Sequence, residues 1–145
     1  MLGTYNYLAI LAAVSLYAFL CGRADERLAA AICVAATAAT HVLMLVIGET
    51  YSRVETGVLI VDCATMLAFL YIALRTERFW PLWVAGLQLT TLFAHAMKAV
   101  QVGLMPQAYA AAAKFWVYPI FLVIAVGTWR SRRRRLTERQ HPSPA

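Results

Sequence analysis

Glu55–Arg78, reading ETGVLIVDCATMLAFLYIALRTER, is the stretch on which the fold turns. Glu55 to Leu74 is about twenty residues long, the length that crosses ~30 Å of hydrocarbon as a helix. Its side chains are almost all apolar, and it closes abruptly on Arg75-Thr76-Glu77-Arg78. One acid, Asp62, sits inside it. An ionisable group near a bilayer centre costs about 2.5–3.5 kcal/mol on insertion scales, so Asp62 asks for a reason.

Four further stretches have the same character. Together the expected spans run from about Tyr5 to Cys21, Leu28 to Gly48, Glu55 to Leu74, Phe79 to Val100 and Gln107 to Trp129. Pro81 falls in the first turn of the fourth, where a missing N–H breaks no helical bond. Pro119 falls near the middle of the fifth and predicts a kink there. No sustained period-2 alternation appears, which disfavours a β-barrel. Composition agrees. The chain is 62% hydrophobic and 14% charged, whereas a soluble domain has roughly 45–50% apolar residues and about a quarter charged. The expected fold is therefore all-α, an integral membrane protein with five transmembrane helices in one domain, residues 1–129, followed by a basic, disordered cytoplasmic tail over 130–145.

Charge orients the spans. Of 13 Lys and Arg, ten fall on one side: Arg23, Arg27, Arg75 and Arg78 in the links, and Arg130, Arg132, Arg133, Arg134, Arg135 and Arg139 in the tail. Arg53 lies on the other side, and Lys98 and Lys114 lie within spans. The positive-inside rule places the ten in the cytoplasm, giving N-out and C-in. Tyr5 and Tyr7 start the first span, and Phe79, Trp80 and Trp83 start the fourth, as an interfacial aromatic belt requires. The segment Met1–Tyr7 has no basic residue, unlike a cleaved signal peptide, and the first span reads as a retained helix.

The tail arginines directly follow an apolar span, so their expected partner is anionic lipid, with Arg130, Arg132, Arg133, Arg134 and Arg135 as the lipid anchor. Nucleic acid is not expected. Cys21, Cys33 and Cys63 have no metal-finger or Cys-x-x-Cys spacing and read as small residues of the membrane interior.

The remaining polar groups converge in depth. Counting from span centres at ~1.5 Å per residue puts Asp62 and His41 roughly 4–5 Å outward of the midplane, His95 and Lys114 about 7–8 Å, and Lys98 about 12 Å. Gln88, Thr91, His95 and Lys98 are spaced 3, 4 and 3, which places them on one helix face. Lipid cannot satisfy such groups, so the face turns toward protein or water. The expected site is an outward-facing polar cluster of Asp62, His41, His95, Lys98, Lys114, Gln88 and Thr91. Each member also has a plain structural reading: lysines snorkel to headgroups, histidines hydrogen-bond between helices, and Asp62 pairs with Lys or His.

Three roles fit the cluster. An accessory subunit that packs against other membrane subunits, or against a second copy, needs no chemistry of its own. A small proton-coupled transporter would use the intramembrane Asp, His and Lys as a relay. A haem b or metal protein would use His41 and His95 as ligands. No nucleophile with a nearby base and no phosphate-binding loop is present, so catalysis is not expected.

The stretch Arg78-Phe79-Trp80-Pro81-Leu82-Trp83, preceded by Asp62 and followed by His95, resembles a pattern in small uncharacterised multi-span proteins of alphaproteobacterial inner membranes. The resemblance covers the third to fifth spans and implies that location, with no activity attached. The excess of Arg over Lys and the abundance of Ala suit a GC-rich bacterial genome.

Overall fold

Two short polar links among the described residues, 22–23 and 76–79, join helices that follow one another in the chain. The computed structural model describes residues 2–47, 51–100 and 115–140. These form α1 (Leu2–Cys21), α2 (Ala24–Ile47), α3 (Tyr51–Arg75), α4 (Trp80–Val100) and α5 (Val117–Gln140). Each helix packs on its sequence neighbours, α5 closes the ring against α1, and α5 also touches α2 across it. All the described residues in regular structure are helical. Three helices contain stretches long and apolar enough to cross a membrane, at Thr4–Cys21, Ala24–Val46 and Thr56–Arg75.

The bundle keeps its small residues inside. Ala18, Ala29, Ala30 and Ala85 are buried with Phe69, Ile72, Val84, Ile120, Phe121 and Ile124. Small side chains let backbones approach closely, and close packing drives helix association where no hydrophobic gradient exists. Tyr7 meets Phe121 at 5.7 Å between ring centroids, joining α1 to α5. Gly127 lies flat under the Trp80 indole, where a Cβ would stand 3.1 Å from the ring. Large apolar side chains point outward: Leu20, Leu45, Leu67, Leu74, Phe93 and Leu122 are all exposed.

Two of the boundaries that differ from expectation have a local reason. α2 starts at Ala24, four residues before Leu28. Glu26 reaches back to accept the Arg23 N–H at 2.7 Å, closing the first turn in the manner of a capping box. At the other end of the chain the expected disordered tail is instead helix as far as Gln140. Gly127, Thr128, Ser131 and Arg135 continue the inward face begun by Ile120, Phe121 and Ile124, and Ser131 is 2% exposed. That face is tied down, so the arginines around it are carried along in helical form. The positions 141–145 lie outside the described residues, as does the first part of the expected fifth span, 107–114. α5 begins at Val117, so Pro119 occupies its first turn, where its missing N–H interrupts no bond of that helix.

Candidate functional site

Two polar constellations lie inside the bundle. The first was legible in the sequence. Asp62 on α3 faces α4, and both carboxylate oxygens are used. His95 Nε2–H donates to Oδ2 at 2.9 Å, and Gln88 Nε2–H donates to Oδ1 at 3.2 Å. Gln88 and His95 are seven residues apart, two turns of α4, so one helix face brings both to one acid. The His95 and Asp62 side chains are 13% and 21% exposed, a pair at the margin of the interior. Thr91 lies between them on the same face, buried, and its hydroxyl has no hydrogen-bond partner.

His41 does not join them. It is exposed, and its Nδ1–H donates to the carbonyl of Thr37 on its own helix at 2.8 Å. Thr37 belongs to a chain of bonds between α1 and α2: Tyr7 O–H donates to Thr37 Oγ1 at 2.6 Å, and Thr37 Oγ1 donates to the Cys33 carbonyl at 2.9 Å. α2 and α4 do not touch among the described residues, whereas α3 touches both. Of the two imidazoles expected as a haem pair, His95 turns its Nε2 to Asp62 and His41 is bonded within α2. The side chain of Lys98 and the whole of Lys114 lie outside the described residues.

The second constellation was not anticipated. At the end of the bundle where α1 stops and α2 starts, Glu26 is completely buried. Its Oε1 receives the Arg78 guanidinium at 3.0 Å and the Ser131 hydroxyl at 2.5 Å, and its Oε2 receives the Arg23 N–H. Arg78 Nη1 also donates to Ser131 Oγ. Asp25 beside it accepts Thr76 Oγ1–H at 3.2 Å. Arg135 donates to the carbonyl of Cys21, which caps the end of α1. Gly22 lies under Glu26, and a Cβ there would stand 2.3 Å from the Ala18 carbonyl oxygen. One acid therefore gathers α2, the α3–α4 link and α5, while Arg135 ties in α1.

A buried carboxylate is stable only when paired and fully hydrogen-bonded. Glu26 meets both conditions. The signals for it are faint in the sequence. Arg23 and Glu26 have the three-residue spacing of a capping box, and Thr128 and Ser131 extend the apolar face of α5 past Trp129.

The same end collects Arg23, Arg27, Arg75, Arg78 and the α5 arginines. Among the latter, Arg133 stacks on Trp129 at 5.4 Å, and Arg75 on Tyr71 at 5.0 Å. Arg130, Arg132 and Arg134 are exposed. No group of three or more His, Cys, Asp or Glu side chains placed to hold a metal ion occurs among the described residues.

Comparison with protein-family models, with curated proteins and with solved structures returned no match to this chain.

Proposed function

We propose that this chain is a multi-pass protein of the bacterial inner membrane, crossing it five times with the start of α1 outside and the arginine-rich end of α5 in the cytoplasm, and that it serves as an accessory subunit for other membrane proteins. The observation that carries the membrane reading is the inversion of surface and interior. A charged Glu26 lies fully buried, while leucines and phenylalanines cover the outside. In water that surface would be an aggregation liability. In lipid it is the solvated face, and polar groups turn inward because hydrocarbon cannot satisfy them.

The accessory role is supported by how the intramembrane polar groups are used. Both oxygens of Asp62 are committed to bonds between α3 and α4. Two grooves among the described residues, one along α4 and one between α4 and α5, are lined by other side chains than Asp62, Gln88 and His95. The cluster then works as a clamp that leaves apolar helix faces for partner helices. Blue-native electrophoresis of mildly solubilised membranes tests this. A complex larger than the monomer, with a co-purifying membrane protein, is expected; a bare monomer with nothing attached argues against it.

One observation favours a second reading, a small proton-coupled transporter. The Asp62–His95 pair is partly exposed rather than sealed, and such pairs serve as relay groups in pumps and carriers. Proton flux into proteoliposomes that disappears in Asp62→Asn, in protein that still folds, would move the assignment to that class.

A further inference from the structure

Between the start of α4 and the middle of α5 runs a groove of about 450 Å³. Its two ends differ chemically. Trp80, Trp83, Leu122 and Val126 line it with apolar surface, and Arg130 and Arg134 line it with charge. These two arginines are four residues apart on α5, so they stand one above the other on one helix face. Neither makes a hydrogen bond or ion pair to another described residue. Their neighbours are occupied differently: Arg78, which also lines the groove, is neutralised by Glu26; Arg133 is stacked on Trp129; and Arg135 is bonded to Cys21. One acid, Glu77, also lines the groove. The arginine pair outweighs it.

We infer that this groove is a binding site for one anionic phospholipid, its phosphate held by Arg130 and Arg134 and an acyl chain laid along Trp80, Trp83, Leu122 and Val126. The charge complementarity is of the kind that a phosphate diester meets: two planar guanidiniums beside an apolar lining. Position supports it too. Trp80 and Trp83 are interfacial aromatics by type, and a basic pocket between transmembrane helices at the cytoplasmic face is a headgroup site by chemistry. Gly127 also lines the groove, and a Cβ there would stand 3.1 Å from the Trp80 indole. The inference rests on the membrane reading above and goes beyond it: general attraction of a basic tail to an anionic surface would engage all the exposed arginines equally, whereas this site singles out two.

The test uses the full chain in detergent micelles, with Trp116 and Trp129 replaced by Phe so that only Trp80 and Trp83 report. The probe is phosphatidylglycerol with brominated acyl chains, which quenches nearby indoles; phosphatidylcholine with the same chains is the comparison, and inorganic phosphate is the competitor. Phosphatidylglycerol should quench at about tenfold lower concentration than phosphatidylcholine. Arg130→Ala/Arg134→Ala should abolish that preference, Arg132→Ala/Arg133→Ala should keep it, and Glu77→Gln should increase it. Equal quenching by the two lipids, or loss of preference in both arginine pairs alike, overturns the site. Complete displacement by millimolar inorganic phosphate would overturn the acyl-chain half, leaving an anion site only. A chain that is extracted from membranes by alkaline carbonate would overturn the membrane reading itself, a result separate from insertion without lipid preference.

Discussion

The Glu26 knot and the Asp62 clamp are both acids bonded to another part of the bundle, yet they differ in what they hold. Glu26 is sealed from solvent, accepts three donors and gathers α2, the α3–α4 link and α5 at one end of the bundle. Asp62 is partly exposed, accepts two donors and joins only α3 to α4. The difference teaches where this fold is specified. Helices that pack through small residues can slide and rotate at little cost, and van der Waals contacts alone do not fix their register. A fully satisfied charge at their shared end does fix it, because any slip leaves Glu26 buried and unpaired.

The widest separation between the two should appear on truncation. Glu26→Ala removes the carboxylate that Arg78 and Ser131 share, and loss of one partner of a buried pair typically costs about 3–5 kcal/mol. Reversible unfolding of the detergent-solubilised protein in SDS should show that loss, and Arg78→Ala added to Glu26→Ala should cost far less than it does alone. Additive costs would dissolve the knot into independent contacts. Next comes Gly22→Ala. Its Cβ would meet the Ala18 carbonyl oxygen and the Glu26 Cβ, so forced backbone movement should cost about 1–3 kcal/mol by the same assay.

The clamp should respond less. Interhelical hydrogen bonds in membrane proteins average about 0.6 kcal/mol and reach about 1.7. Asp62→Leu should fall near the upper figure and Asp62→Asn near the lower. A loss in Asp62→Leu that matched Glu26→Ala would make the two sites energetic equals. Smallest of all should be Arg132→Ala, an exposed position away from both sites, expected within about 0.5 kcal/mol of the parent; a larger effect would mean that the exposed arginines, and not the inward face of α5, hold that helix.

Much of this arrangement could be read without coordinates. Apolar runs of bilayer length marked the helices, and Gln88 and His95 at two-turn spacing marked the face that meets Asp62. Depth counted from span centres groups His41 with Asp62 but says nothing about rotation: Thr37, four residues earlier, turns toward Tyr7 on α1. The knot escaped for a related reason. Glu26 lies in a link that reads as solvated, and its partners Arg78 and Ser131 are 52 and 105 residues away. Periodicity reports which face of one helix is apolar; it cannot report which distant donor arrives at that face. The arginine run hid α5 in the same way, since Ser131 is one small residue among charges that taken together look like a solvated tail.

All of this depends on the bundle lying across a membrane with its arginine-rich end inside. The most direct measurement is labelling of intact cells by a membrane-impermeant maleimide, in a variant whose native cysteines are replaced by Ala, carrying either Thr4→Cys or Glu138→Cys, both exposed positions. The account predicts that Thr4→Cys is modified in intact cells and that Glu138→Cys is modified only after permeabilisation. Modification of Glu138→Cys from outside would contradict it, because the knot, the lipid groove and all ten clustered arginines would then face the wrong compartment.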